Sequence, residues 1–568
     1  MILFVLAVVV GAAAGYGAIG FRLLVYALQD VLFGNPADYI ASYAARLPWW
    51  QVLAVPTLGG LLIGLFVHFV FPGRLPQGVA DVMAACALRN GRMSLREGMA
   101  AAMISISSIG SGASVGREGP IIHLGATFAS AIAQKLHLSP SLAKTLLGCG
   151  VAAAIASAFN APIAGVFFAL EVVVGHYGIG AFSPVVISSV IGTVITRLHI
   201  GDDAAFILPP QQIVSFWELP AFIILGPVCA VAALGLLKGI AFVQAVHERL
   251  KIARWLRPAL AGLVVGLIAI RWPEVLGVGY EATDNALKGS YDLQLLILLA
   301  LAKATATVVC LGSGFGGGIF SPSLVLGAMV GSAYGLVAFG FFPELGSSSS
   351  VYALLAMAAI AACTLGAPIS TIIMVFELTA DYGMTFALMV TVAIASLICR
   401  QLHWHSFFTW QLLQRGIDLE ARHDQGLLAS RTVDEVMRPE VVTVGLETDL
   451  EQLKSEFLHR HLPIFVVDEE GHLVGSIHFE DLADAAFEPD QAIKRTARDL
   501  VHRLPTALRP DDDLEKALRV CEAEHEEHMP VVRSDDSMEV IAEVRLADLL
   551  LAQNQALLEA RALERGTV

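Results

Sequence analysis

Gly110-Ser111-Gly112-Ala113-Ser114-Val115-Gly116-Arg117-Glu118-Gly119-Pro120 is the stretch on which the rest of this 568-residue chain turns. Its glycines let the backbone come close to a ligand and take up angles that other residues avoid. Pro120 suits the first turn of a helix, where its missing N–H costs nothing. A helix starting here aims free N–H groups and the positive end of its dipole back at the loop. That is an anion site built without a cation. Glu118 stands in the same place. A carboxylate inside a membrane is costly unless it has work to do, so Glu118 is read as competing with a permeating anion for the site.

The membrane setting follows from composition. Hydrophobic residues make up 56% of the chain and charged residues 15%, and the mean hydropathy is +0.68. This indicates a multi-pass membrane protein. Residues 1–420 carry a net charge of +1 and residues 421–568 a net of −16, within the total of −15. The acidity therefore belongs to a soluble tail, and an acidic tail argues against nucleic-acid binding. The cysteines, Cys86, Cys149, Cys229, Cys310, Cys363, Cys399 and Cys521, lack metal-type spacing and read as buried free thiols. Met1–Phe21 has no basic start and no small-residue cleavage site, and reads as a retained helix.

Uncharged apolar runs recur at Met1–Phe21, Thr145–Leu170, Val172–Thr196, Leu219–Leu237, Ala304–Pro343 and Leu345–Phe376. A helical span needs about 20 such residues. Ala304–Pro343 is twice that and contains Gly312, Gly314, Gly316, Gly317, Gly318 and Pro322. Such a run predicts broken helices that meet inside the protein. An internal repeat supports this. Gly119-Pro120-Ile121-Ile122-His123-Leu124-Gly125-Ala126 corresponds to Ser321-Pro322-Ser323-Leu324-Val325-Leu326-Gly327-Ala328, and Ser-Ala follows at the same offset in each. Ala161-Pro162-Ile163 leads to Glu171 just as Ala367-Pro368-Ile369 leads to Glu377. Two related halves with interrupted segments in corresponding places point to a transport site.

The tail contains a smaller unit twice. Asp449-Leu450-Glu451, Ile464–Val467 and Glu480-Asp481-Leu482 are echoed by Asp513-Leu514-Glu515, Pro530–Val532 and Ala547-Asp548-Leu549. Short β-branched runs alternating with amphipathic stretches predict a small α/β module used twice. Leu549–Arg565 reads as a terminal helix.

Three motifs, Gly116–Pro120 (GREGP), Ala158–Glu171 (AFNAPIAGVFFALE) and Gly317–Pro322 (GGIFSP), resemble those of the CLC chloride channels and proton–chloride exchangers in order and spacing. The resemblance covers roughly residues 1–420, and the tail is similar to a pair of CBS domains. It implies an all-α polytopic membrane domain of two inverted repeats, with about 17 tilted and partly broken helices, followed by an α/β cytoplasmic CBS pair. The implied domains are 1–420 (halves about 1–200 and 205–415), 431–488, 493–553 and a terminal helix at 554–568. The chain begins almost at the family's second helix. The resemblance further implies chloride as the substrate, no required cofactor, a homodimer in the cell or inner membrane, and a cytoplasmic tail.

Carried over residue by residue, the anion is held by the backbone N–H groups of Arg117, Glu118 and Gly119 in one half and Ile319, Phe320 and Ser321 in the other. Gly116, Pro120, Gly318 and Pro322 support these turns. Fixed dipoles hold the ion loosely enough for it to leave. The Arg117 side chain is expected to point away, and Glu118 matches the family's gating glutamate.

Three departures matter. Gln77 stands where the family has a serine at the inner mouth, and its amide still offers N–H donors. Phe408 stands where the family has its central tyrosine, so that hydroxyl is missing. Val172 stands where exchangers commonly carry a proton-relaying glutamate, and valine carries no proton. This favours passive anion flow over coupled exchange, although His123 and His176 are candidate substitutes. Glu171 and Glu377 read as structural caps or pairs. In the tail, His478 and Arg545 replace the Ser or Thr that nucleotide-binding modules place three residues before the Asp matching Asp481 or Asp548. An adenine nucleotide contacted by these two aspartates and a purely structural tail both stay open, with helix N-capping as the simpler role for each Asp. The chain has no HExxH, no GxSxG in a suitable context and no paired intramembrane carboxylates, which argues against an enzyme.

Overall fold

The computed structural model describes residues 2–34, 39–70, 77–175, 178–201, 206, 213, 216–341, 347–403, 405–418, 431–460, 464–478, 481–482, 495–501, 506–524, 526–534 and 537–564. The chain divides into two compact units, Met1–Ile417 and Asp418–Val568.

The first unit is helical. Its first half runs α1 (Ile2–Phe33), α2 (Ile40–Ala44), α3 (Trp49–Val70), α4 (Val79–Leu88), α5 (Leu95–Gly110), α6 (Glu118–Lys135), α7 (Pro140–Phe159), α8 (Pro162–Phe168, continued by a π-helical turn over Ala169–Val174) and α9 (Ile179–Ile200). The second half runs α10 (Leu219–Arg249), α11 (Arg257–Arg271), α12 (Tyr280–Leu287), α13 (Leu293–Ser313), α14 (Phe320–Phe341), α15 (Ser349–Leu365), α16 (Pro368–Thr379), α17 (Tyr382–His403) and α18 (Phe407–Leu413). Among the described residues, eight helices are long and apolar enough to cross a membrane.

The second half repeats the packing of the first. Helix α6 lies on α7 and α14 on α15; α7 meets α9 and α15 meets α17; α1 rests on α7 and α9, and α10 on α15 and α17. The long apolar runs break where the repeat predicts. Helix α7 ends on Asn160 at φ +57°, and Pro162 opens α8. Helix α15 ends on Gly366 at φ +70°, and Pro368 opens α16. A left-handed residue ends each helix, and a proline that needs no N–H partner starts the next. Small residues let the central helices touch through backbone. A Cβ on Gly125 would lie 2.5 Å from the Gly150 carbonyl oxygen, and one on Gly327 would lie 2.5 Å from Met357 Cα.

The two halves cap each other. Glu171, from the π-helical turn, accepts from the Ile369 and Ser370 amides at 3.0 and 2.8 Å and also from the Ser370 hydroxyl. Glu377 accepts from the Ile163 and Ala164 amides at 2.9 and 2.7 Å. Each carboxylate meets the free N–H groups and dipole of the other half's helix start. The expected capping role is therefore observed, with the partners crossed between halves.

In the second unit, β1 (Thr443–Gly445) pairs parallel with β2 (Ile464–Val467), which pairs antiparallel with β3 (Leu473–Ile477). Strands β4 (His528–Val532) and β5 (Val540–Arg545) form an antiparallel pair. Helices Leu450–Arg460, Leu514–Glu524 and Leu546–Glu564 accompany them. The modules interleave. Val433 packs in the core of Leu508, Leu514, Met529, Val531 and Val544. Ala497 and Leu500 pack with Val442, Leu450 and Ile464. The leading segment of each module thus covers an apolar face of the other. Asp512 is buried and accepts from Lys516 Nζ at 2.6 Å and the Arg509 amide at 2.8 Å. Burial works to raise its pKa, but these donors outweigh it and hold the carboxyl below its usual range. All seven cysteines are free and buried.

Candidate functional site

The loops that precede α6 and α14 meet through two glycines. The Gly116 amide donates to the Gly318 carbonyl at 2.7 Å, and the Gly318 amide donates back to Gly116 at 2.8 Å. Helix α6 starts two residues after Gly116, and α14 two residues after Gly318. Pro120 and Pro322 are the third residue of each helix. The amides of Glu118, Gly119, Phe320 and Ser321 therefore lie in first turns, where helical geometry supplies no acceptor. Arg117 and Ile319 stand just outside, and their carbonyls accept from Ile121 and Ser323. The two backbones approach closely here. A Cβ on Gly119 would lie 3.2 Å from Gly318 Cα, and one on Gly318 would lie 3.1 Å from the Gly119 nitrogen. Phe320 is held by ring contacts with Phe159 at 4.9 Å and Phe168 at 6.0 Å. The Ser321 hydroxyl is buried without a partner among the described residues.

Glu118 is fully buried at this junction. Its Oε1 accepts from the Tyr280 hydroxyl at 3.0 Å. Its Oε2 has no partner among the described residues and lies 2.8 Å from where a Cβ on Gly116 would be. The Arg117 guanidinium sits over the Tyr280 ring at 4.5 Å and reaches the Tyr26 hydroxyl at 3.5 Å.

A cavity of about 40 Å³ adjoins the two tips, lined among others by Gln77, Gly119, Gln244, Gly318, Phe408 and Gln411. That exceeds the roughly 10–15 Å³ that one water needs. Gln77 and Phe408 thus share one space with both helix tips. One amide hydrogen of Gln77 is committed to Glu97 Oε2 at 3.1 Å, so the expected donor is partly occupied. The two sides of this cavity are tied together by Arg415, which follows α18 and pairs at 2.7 Å with Asp81 in the first turn of α4.

Val172 is buried in the π-helical turn after Glu171. His123 lies five residues after Glu118 on α6, buried, with Nε2 unpartnered among the described residues. His176 falls outside the described residues. In the tail, Arg438 holds both oxygens of Asp548 at 2.7 and 2.8 Å, and Asp481 accepts from the His478 amide at 2.9 Å. A nucleotide would have to compete with Arg438 for Asp548, and Asp481 serves its own backbone.

Sequence reasoning missed Tyr280, Gln244, Gln411 and Lys303. Lys303 is buried and donates to the Val275 and Gly277 carbonyls at 3.0 and 2.9 Å. The available signal was Gly277-Val278-Gly279-Tyr280, a glycine-framed turn opening a short helix in an apolar region.

Comparison with known proteins agrees with the fold. The family model described as "Voltage gated chloride channel" matches residues 59–400, and that for the CBS domain matches 433–488. A putative chloride channel protein ClcB-like from Ralstonia nicotianae is 36% identical over 384 residues, covering 67% of this chain and 89% of the relative. The voltage-gated ClC-type chloride channel ClcB of Escherichia coli O9:H4 is 31% identical over 416 residues, covering 72% and 99%. Among solved structures, a slow cyanobacterial Cl-/H+ antiporter superposes with a TM-score of 0.65 at 24% identity, covering 73% of this chain and 97% of that one. A eukaryotic CLC transporter superposes at 0.64 with 17% identity, covering 96% and 97%. The architecture is thus that of an inverted-repeat membrane domain followed by a CBS domain.

Proposed function

We propose, for a chain that belongs to the voltage-gated chloride channel (CLC) family, that it is a passive, gated chloride channel with the Glu118 carboxyl as its gate. The observation that carries the reading is the junction of the two helix tips. The two loops are joined at Gly116 and Gly318 beside one cavity, and Glu118, whose carboxyl is fully buried, opens the helix that starts there. The ion is held by the amides around Arg117, Glu118 and Gly119 and around Ile319, Phe320 and Ser321, with Gln77 and Phe408 along its path. Such dipoles attract an anion without the depth of a full charge, which conduction requires. Leaving its position, by protonation or displacement by chloride, Glu118 opens the path. The protein works as a homodimer in the cell membrane with its tail on the cytoplasmic side.

Passive flow is preferred to proton coupling because Val172 cannot carry a proton where exchangers commonly have glutamate. The channel names of its bacterial relatives support this. One observation favours the second reading, proton-coupled exchange: His123 is buried, with a ring nitrogen that has no partner among the described residues, on the same helix as Glu118. Flux in proteoliposomes separates the two. A steep chloride gradient is expected to leave protons in place, and uphill proton movement at fixed stoichiometry refutes the channel. Glu118→Gln is expected to raise chloride flux at neutral pH and flatten its pH dependence. An unchanged pH profile removes Glu118 from the gate.

A further inference from the structure

We propose that Tyr280 is the latch of this gate: its hydroxyl holds the Glu118 carboxylate in the closed position. The inference rests on the reading of Glu118 as the gate. Its physical basis is the hydrogen bond from the Tyr280 hydroxyl to Oε1 at 3.0 Å, between a fully buried acid and a tyrosine that is 5% exposed. The other carboxylate oxygen has no partner among the described residues. A bond to an ionised acceptor is among the stronger ones available in a buried site.

A latch must be fixed independently of what it holds, and Tyr280 is. It is the first residue of α12, preceded by Gly279 at φ +95°, a left-handed angle that glycine adopts freely. Two carbonyls of the preceding turn, at Val275 and Gly277, are gripped by Lys303 Nζ. The Gly277 amide donates to the Gly112 carbonyl at 3.1 Å, which ties this turn to the loop leading to Glu118. The ring lies under the Arg117 guanidinium at 4.5 Å and packs on Phe206 at 5.1 Å. A cation over the ring face and an aromatic neighbour restrain the ring. The hydroxyl is therefore presented at a set place, whereas Glu118 reaches it on a flexible arm. Tyr280 is a positioning residue, and chloride must break its bond to displace the arm.

The test measures chloride efflux from proteoliposomes for the full-length protein, Tyr280→Phe, Glu118→Gln and the double variant. Phenylalanine keeps the ring contacts and removes only the hydroxyl. Tyr280→Phe is expected to raise flux at sub-saturating chloride by roughly tenfold, as loss of one charge-assisted hydrogen bond allows, and to lower the half-saturating chloride. In the Glu118→Gln background the same change is expected to do nothing. Unchanged or reduced flux in Tyr280→Phe overturns the latch, as does an equal increase in both backgrounds, which marks a merely structural role. If Glu118→Gln itself leaves flux unchanged, the gate fails and the latch with it, a result distinct from failure of the latch alone. A second measurement has the opposite sign. A fluorinated tyrosine at position 280, with a stronger O–H donor in the same shape, is expected to slow efflux. Faster or equal efflux overturns the proposal.

Discussion

Replacing Glu377 by glutamine tests how the two halves are held together. The carboxylate accepts two amides of the α8 start, at 2.9 and 2.7 Å. Glutamine keeps one acceptor oxygen, turns an NH2 group toward an N–H, and removes the charge that faces the helix dipole. Loss of one hydrogen bond to a charged group costs about 1.5–3 kcal/mol. The lost interaction with the dipole adds roughly 0.3–2 kcal/mol. The expected destabilisation is therefore about 2–5 kcal/mol. Glu171→Gln is expected to cost the same within about 1 kcal/mol, because its carboxylate meets the α16 start at 3.0 and 2.8 Å in the duplicated setting. The assay is the thermal unfolding midpoint of the detergent-purified protein, with circular dichroism and size exclusion as separate probes. Both variants are expected to melt several degrees lower, while Glu377→Gln keeps chloride flux per folded protein. A midpoint unchanged in both variants refutes the capping argument. A loss confined to one variant refutes the equivalence of the halves.

Two further outcomes are expected. Phe408→Tyr adds a hydroxyl to the cavity wall at the helix tips and is expected to tighten chloride binding by roughly three- to tenfold, read by calorimetry; unchanged affinity places the ring edge away from the ion. In the tail, the Asp512 carboxyl is held below its usual range, so its contribution to stability is present above the unfolded-state value of about 3.9 and is lost as pH falls through the folded value. Asp512→Asn is expected to lower the protection of residues 506–534 in the full-length chain by about 1–3 kcal/mol at pH 7, with the difference closing in acid; hydrogen exchange measures both, and a pH-independent difference refutes it.

The legible parts of this molecule were those set by local backbone need. Gly116, Pro120, Gly318 and Pro322 stand out because a tight approach and a helix start each restrict residue type within a few positions. The breaks at Pro162 and Pro368 were readable for the same reason, and their repetition exposed the duplicated architecture. Partners distant in sequence were not readable. That Glu377 and Glu171 cap or pair was expected from the cost of lone charges in lipid, but the crossing of partners between halves depends on contacts 214 and 198 residues apart. Tyr280 reaches Glu118 across 162 residues, and its own surroundings carry only a glycine-framed turn. In the tail, strands and helices followed from alternation and amphipathicity. The exchange of leading segments depended on which apolar face each module leaves uncovered.

The paired glycines Gly116 and Gly318 set a mechanical limit. Two short backbone hydrogen bonds pin one half to the other at the point where the helix tips meet. A rocking-bundle cycle would have to part the halves there, breaking both bonds between two buried glycines. If the joint stays closed, the moving part is a single side chain. Domain rearrangements take microseconds to milliseconds, and moving one side chain needs none of them. On the proposed channel reading, such a joint would spare turnover a domain-scale step and leave the ion's own escape to set the pace.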